Sequence, residues 1–169
     1  MKSRYSTRYP SHFLDSLTTS TPARVGCQRH PVRGPLHGAQ GRGKLVQPIN
    51  ISIDKDGNKY VTDPVRGQVV MFDKNDFYVR QYGTSGEWKP VDAVAYEDKL
   101  YVADIKNGEV KVFSRETGEI VQTFGKQGEQ KDWLSLPTNL VFDSQGFLYV
   151  SDAGRFQIIK LDRDGNLRD

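Results

Sequence analysis

From residue 47 onward the chain alternates short β-rich runs with turn residues. The runs hold β-branched and aromatic residues, as in Tyr60-Val61-Thr62, and pairs such as Asp56-Gly57 and Asn107-Gly108 interrupt them. Gly and Asx residues adopt positive φ at low steric cost, so such pairs form tight hairpin turns. The pattern therefore predicts an all-β region made of antiparallel strands.

The predicted strands form three groups. The first group is 49–54, 58–63, 68–73 and 77–82, the second is 92–96, 99–104, 109–114 and 119–124, and the third is 138–143, 147–152 and 156–162. A further strand of the third group is predicted to begin near Asn166. Strands at this even spacing are typical of repeat architectures.

The three groups are copies of one pattern. Each copy opens with a proline followed two residues later by Asn or Asp, and each carries a Tyr-Val pair in its second strand. Nine residues separate the Asp that ends the second strand from the large apolar residue that ends the third. These pairs are Asp63 and Phe72, Asp104 and Phe113, and Asp152 and Leu161. The register does not slip between the two anchors, which indicates one repeated supersecondary unit.

The Pro-x-[Asn/Asp] opening, the Gly-Asn/Phe-x-Tyr-Val-x-Asp centre and the Val-x-Val-Phe close resemble the NHL repeat. The resemblance implies a partial β-propeller of about three four-stranded blades, whereas the family usually closes six. The blades would span 47–88, 89–135 and 136–169, and the chain ends inside the third. Because each blade is buried only by its neighbours, we expect self-association through the open blade edges.

Charge divides the chain near residue 46. Residues 1–46 hold eight of the 24 Lys and Arg but one of the 21 Asp and Glu, which leaves 16 basic and 20 acidic side chains in the remainder. The first segment is rich in Arg, Ser, Thr, Pro and Gly and has no apolar period. We interpret 1–46 as a disordered basic tail or a non-native leader.

The first segment also lacks a targeting signal. Its longest apolar run is Phe13-Leu14, whereas a secretory signal needs about 7–15 apolar residues. No run in the chain has the roughly 20 apolar residues of a membrane-spanning helix. An extracytoplasmic bacterial location is expected only if a signal peptide precedes Met1.

In blades of this family the first strand is innermost, so the residue two positions after the opening proline would line the mouth of the central channel. These residues are Asn50, Asp92 and Asn139. Oxygen-bearing side chains converging there would suit a polar ligand or Ca²⁺, which takes about 6–8 oxygen ligands. The alternative is that these short side chains cap the loop backbone.

Other repeated positions have structural or binding interpretations. Asp63, Asp104 and Asp152 are expected to accept backbone N–H groups within single loops. Arg66, Lys106 and Arg155 lie in the turns after these aspartates and form either a site for an anion or acidic partner or a solvated rim. Tyr60, Tyr101 and Tyr149 are expected to pack between blades. Trp88 and Trp133, in the loops between blades, are either interface anchors or plugs between blades.

These features favour a non-catalytic module that binds a protein, peptide or polysaccharide, or that serves as a scaffold. All three histidines and Cys27 precede residue 47, so the blades offer neither a His base for a serine nucleophile nor a Cys/His zinc site. No cofactor is expected except Ca²⁺ in the alternative interpretation, a metal-dependent enzyme resembling the propeller lactonases. The acidic balance of the blades argues against nucleic acid as a partner.

Overall fold

A computed structural model describes residues 44–125 and 134–168, and every regular element in these ranges is a β-strand. The strands of the first blade are β1 (Asn50–Ile53), β2 (Lys59–Asp63), β3 (Gln68–Phe72) and β4 (Tyr78–Tyr82). Those of the second are β5 (Pro90–Tyr96), β6 (Lys99–Asp104), β7 (Glu109–Ser114) and β8 (Ile120–Phe124). Those of the third are β9 (Pro137–Phe142), β10 (Leu148–Asp152) and β11 (Gln157–Leu161).

Each blade is an antiparallel sheet whose strands lie in chain order. This confirms the prediction of three sheets, and most strand ends fall within one residue of the predicted positions. The second blade differs because β5 begins at Pro90, where a bulge lets Pro90 pair with Asp104 before Asp92 pairs with Ala103. The expected strand near Asn166 is present only as an isolated bridge between Leu161 and Leu167.

The predicted hairpin turns have the expected backbone geometry. Gly57 and Gly108, the second residues of the pairs Asp56-Gly57 and Asn107-Gly108, have φ of 84° and 64°. An L-amino acid with a side chain is strained in this region, so glycine keeps these turns tight. No helix long and apolar enough to cross a bilayer occurs in the ranges that the structure describes.

The blades stack face to face, with the inner strands β1, β5 and β9 side by side. Two buried layers result. The layer between the first and second blades contains Tyr60, Val69, Tyr82, Trp88, Ala93, Leu100, Val102 and Phe113. The layer between the second and third blades contains Tyr101, Ala103, Val110, Val112, Leu134, Leu140, Leu148, Val150, Ile159 and Leu161. The middle blade therefore buries both of its faces, as a repeat unit in a stacked array must.

Trp88 is a plug between blades. Its ring is buried against Phe113, with ring centroids 5.5 Å apart, and its Nε1–H donates to the carbonyl oxygen of Gly67 at 2.6 Å. A Cβ on Gly83 would lie 2.1 Å from this ring, so the ring fits only against glycine. Of the two interpretations from the sequence, the structure supports packing for Trp88. Trp133 lies outside the described residues.

Replacing Trp88 with alanine should lower the free energy of unfolding by about 3–5 kcal/mol, because it empties the layer between two blades. Trp88→Phe should cost about 1–3 kcal/mol, because it leaves the buried carbonyl of Gly67 without its donor. Urea denaturation followed by circular dichroism measures both losses. Phe156→Ala, at a position that is 93% exposed, is the control and should change stability by less than about 0.5 kcal/mol. Equal losses for Trp88→Ala and Phe156→Ala would contradict the plug.

Candidate functional site

We call the predicted channel-mouth residues Asn50, Asp92 and Asn139 the channel-mouth column. Asp92, its middle member, links all three blades. Its Oδ1 accepts hydrogen bonds from Asn50 Nδ2 at 2.7 Å and from the Ala93 amide at 2.8 Å. Its Oδ2 accepts from the Leu140 amide at 2.7 Å. The side chain is almost completely buried. A single carboxylate thus joins the inner strands of the first, second and third blades.

Two members of the column are in direct contact, and the third is placed differently. Asn50 donates its amide to Asp92, and its own Oδ1 accepts the Ile51 amide at 2.8 Å. Asn139 lies beside Leu140 on β9 and is exposed. Three N–H groups already bond to the two oxygens of Asp92, which together have about four acceptor positions, so little of this carboxylate is left for a cation. Among the residues that the structure describes, no group of three His, Cys, Asp or Glu is arranged to hold a metal ion. A ligand role for the column stays a prediction.

The environment of Asp92 changes its acidity. Burial raises the pKa of this carboxyl group, and the hydrogen bonds from the Leu140 and Ala93 amides act in the opposite direction without cancelling the effect. A raised pKa means that the folded protein holds the charged form less readily than the unfolded chain does. The buried charge is therefore a cost that the two amide hydrogen bonds only partly offset.

The aspartate that ends the second strand of each blade anchors two loops. Asp63 accepts the amides of Val46, Gln47 and Arg66, so it joins the loop before β1 to the β2–β3 turn. Asp104 accepts in the same way from Lys89 and Lys106. The expectation that these bonds stay within single loops was wrong. An Asx-turn uses one segment, whereas these buried carboxylates have acceptor sites for both.

The third blade repeats this anchor. Asp152 accepts the amides of Ser135 and Leu136 before β9 and those of Gly154 and Arg155 in the β10–β11 turn. The loops before β1, β5 and β9 and the turns after β2, β6 and β10 therefore lie at one end of the blades. We call this end the loop face.

The predicted rim cations lie on the loop face, and two of them bond to backbone. Arg66 donates to the Lys44 carbonyl oxygen, and Lys106 donates to the Gly86 carbonyl oxygen at 2.6 Å. Arg66 and Arg155 are half-buried and Lys106 is exposed. Recognition of an anion or acidic partner by these residues stays a prediction.

At the opposite end of the blades, Arg115 of the second blade bonds to Asp54 and Tyr60 of the first. We call such an arginine contact between two blades a clasp. The Arg115 guanidinium donates to Asp54 Oδ2 and, at 2.8 Å, to the hydroxyl of Tyr60. Burial alone would raise the pKa of Asp54, but hydrogen bonds from Asn58 and the Asp56 amide, together with the Arg115 charge, lower it. Burial raises the pKa of Tyr60, so the hydroxyl stays protonated and donates to Asp54 at 3.2 Å.

A weaker clasp joins the second and third blades. Arg163 reaches Glu97 at 3.2 Å and the Tyr96 hydroxyl at 3.4 Å. The Tyr101 hydroxyl donates to the Arg163 carbonyl oxygen at 3.4 Å, and burial raises the pKa of Tyr101 to about 12. Tyr60, Tyr101 and Tyr149 were predicted to pack between blades. This holds for Tyr60 and Tyr101, which are fully buried.

The clasp residues were missed from the sequence, although a signal was present. In every copy a basic residue stands eleven positions after the aspartate that ends the second strand, at Lys74, Arg115 and Arg163.

The sequence also gave no sign of a cavity of about 110 Å³, which lies at the outer side of the layer between the first and second blades. Its lining includes Trp88, Lys111, Phe113, Thr84, Glu87 and Ile120.

The fold resembles that of several solved structures. A protein of unknown function from Bacteroides caccae has a TM-score of 0.55 and 20% identity, over 69% of this chain and 46% of that one. Virginiamycin B lyase from Staphylococcus aureus has a TM-score of 0.58 and 12% identity, over 72% of this chain and 40% of that one. Kuenenia stuttgartiensis hydrazine synthase has a TM-score of 0.59 and 16% identity, over 77% of this chain and 36% of that one.

These similarities establish the fold class. The chain has the all-β architecture of a partial β-propeller, and it spans less than half the length of each of these structures. No protein-family model matches the chain.

Removing the buried clasp should cost more stability than removing the exposed one. Arg115→Ala leaves the buried Asp54 carboxylate without its cation and should lower the free energy of unfolding by about 2–3 kcal/mol. Arg163→Ala breaks a pair exposed to solvent and should cost about 0.5 kcal/mol. Urea denaturation gives both values, and equal losses would show that the two clasps are equivalent.

The raised pKa of Asp92 predicts a pH dependence with a definite sign. Between its ordinary value and the raised value, the folded state holds a proton that the unfolded chain has released, so stability from this group falls as pH rises. Asp92→Asn removes this titration. The free energy of unfolding of the wild type should therefore fall relative to the variant as pH increases from 3.8 and level off above the folded-state pKa. A constant difference between the two proteins across this range would contradict the assignment.

Proposed function

We propose that the loop face is a non-catalytic binding or scaffolding surface for a protein, peptide or polysaccharide. The observation that carries the proposal is the anchoring of three equivalent loops by the buried carboxylates of Asp63, Asp104 and Asp152. Loops held in this way lose little conformational entropy when a ligand binds, so more of the contact energy appears as affinity.

The chemistry of the loop face suits a polar ligand. Lys106 in the β6–β7 turn is exposed, and so is Asn139, which lies two residues after β9 begins at this end of the blades. Between them they offer amide and ammonium donors and a carbonyl acceptor. Such groups hydrogen-bond peptide backbones and sugar hydroxyls. Arg66 and Lys106 each bond to a backbone carbonyl oxygen, so both side chains are already held in place on this surface.

The binding unit in this proposal is the blade region, residues 47–169, with 1–46 as a separate segment. Strand β1 follows the opening proline Pro48, and the anchor on Asp63 includes the Val46 and Gln47 amides. In this proposal the boundary lies in the loop that leads into the first blade, where Val46 and Gln47 both bond to Asp63.

The bonding of Asp92 favours this function over a metal-dependent one. Three N–H donors occupy its two oxygens, which is the environment of a structural cross-link between inner strands. A lactonase-like enzyme would need those oxygens for a cation. Virginiamycin B lyase shares the fold at 12% identity, and a shared fold does not transfer an activity.

Immobilised arrays of peptides and polysaccharides, probed with the full chain, test the proposal. For a captured ligand, Lys106→Ala and Asn139→Ala should each weaken binding several-fold, since each removes contacts on the loop face. Lys55→Ala is the matched control, because Lys55 is an exposed lysine in the β1–β2 turn at the opposite end of the blades.

Two results would contradict the proposal. One is binding that Lys55→Ala weakens as much as Lys106→Ala does. The other is hydrolysis of lactones that depends on Ca²⁺ and is lost in Asp92→Ala, which would establish the metal-dependent alternative.

A further inference from the structure

The cavity between the first and second blades has one wall that departs from the repeat. Lys111 lines it, whereas Val70 and Ile159 stand at the same repeat position in the other two copies. Glu109, which bonds to Lys111, likewise replaces a glutamine of the other two copies. The second blade therefore places an ion pair beside the cavity where the other copies have an amide and an apolar side chain.

The apolar walls of the cavity are packed in place. Trp88 and Phe113 are buried with their ring centroids 5.5 Å apart, and the Trp88 indole N–H bonds to the Gly67 carbonyl oxygen. Ile120, on the outermost strand β8 of its blade, completes the apolar lining. Walls that are already fixed lose little conformational entropy when a ligand enters, so contacts with them contribute fully to affinity.

The size of the cavity suits a single ring. Its volume is about 110 Å³, and an apolar cavity of about 150 Å³ is enough to enclose benzene. Thr84, Glu87 and Ile120 are exposed, so the cavity opens to solvent on their side and a ring with a short substituent can enter there. A sugar is a poorer fit, because its several hydroxyl groups need partners and Trp88, at 4% exposure, has no open face for stacking.

The polar side of the cavity suits a neutral oxygen. The Lys111 ammonium group has three N–H donors and lies 5.9 Å from the centre of the Trp88 ring. In the described part of the chain it bonds to Glu109 and lies 3.4 Å from Asp104 Oδ2, which leaves an N–H for a ligand oxygen. These two carboxylates, with Glu87 at the entrance, disfavour an anionic ligand, and the ammonium group disfavours a cationic one.

We propose that this cavity binds a phenol ring, the side chain of a tyrosine in a peptide. The ring would lie against Trp88 and Phe113, and its oxygen would accept an N–H from Lys111. Thr84 and Glu87 at the entrance belong to the loop before β5, which is part of the loop face. The inference therefore rests on the proposed function, and it narrows the ligand to a peptide that contains tyrosine.

NMR titrations of the full chain with p-cresol and toluene test the proposal. These probes are the side chains of tyrosine and phenylalanine and differ by one hydroxyl group. Both should shift the Trp88 indole N–H signal, which is the one that remains in Trp133→Phe because the chain has two tryptophans. p-Cresol should bind roughly tenfold more tightly than toluene, since its oxygen gains a hydrogen bond from a charged donor. N-acetyltyrosinamide, the peptide-linked form, should bind as p-cresol does.

Lys111→Met keeps an unbranched side chain and removes the donor. It should abolish the preference for p-cresol and leave toluene binding unchanged, whereas a merely structural role of Lys111 would weaken both probes equally. Glu109→Gln combined with Lys111→Met gives the second copy the residue types of the other two and should behave in the same way. The double variant keeps the test valid if the single variant fails to fold with Glu109 unpaired.

The apolar wall has a matched pair of variants on one strand. Ile120→Ala should weaken the binding of both probes several-fold, because it removes lining from the cavity. Val121→Ala is the control and should change neither, since Val121 is exposed to the same 54% as Ile120 and is not part of the lining. Equal losses in the two variants would place the bound ring outside the cavity and overturn the proposal.

Other results would also overturn it. These are the absence of any Trp88 shift with millimolar p-cresol, and equal affinity of the wild type for p-cresol and toluene. Binding of p-cresol without binding of N-acetyltyrosinamide would overturn it in favour of a free phenol. Asn139→Ala separates this proposal from the proposed function, because it should weaken capture on peptide arrays and leave p-cresol binding unchanged. Arrays that capture nothing while both phenol probes bind would contradict the loop face and support the cavity.

Discussion

Face-to-face packing of four-stranded sheets is the constraint on which the rest of this structure depends. A single blade has two apolar faces and no means of burying either alone. The middle blade meets this requirement on both sides, with Leu100 and Phe113 toward the first blade and Val110 and Val112 toward the third. The first and third blades each bury only one face. The exposure of Ile51 and Ile158 follows directly from their places at the two ends of the stack.

The same packing determines where charge is buried. A carboxylate can lie inside a stack of apolar sheets only if N–H groups replace its water, and here loops, turns and the inner strands supply them. Asp63, Asp104 and Asp152 take these donors at the loop face, while Asp92 takes them between the inner strands. The polar residues whose pattern in the sequence suggests a ligand site therefore also hold the blades together.

The repeat register made most of the fold predictable, because residues at equal spacing from an anchor occupy equal environments. Tyr60 and Tyr101 are buried as expected from that argument. The argument failed where a contact joins two loops of one copy or crosses from one copy to another. Neither the second loop bound by Asp104 nor the reach of Arg115 to Asp54 follows from spacing within a copy. The role of Trp88 also depended on what lies opposite it, since only the space at Gly83 accommodates its ring.

The anchors on Asp152 have a consequence for the segment between the second and third blades. The Leu134 amide donates to the Gly125 carbonyl oxygen at 2.7 Å, and Asp152 holds the next two amides. Both ends of the connection are thus fixed before and after residues 126–133. The start of β9 is therefore set by a carboxylate on the neighbouring strand β10, so the strand that enters the third blade and the strand beside it are fixed together.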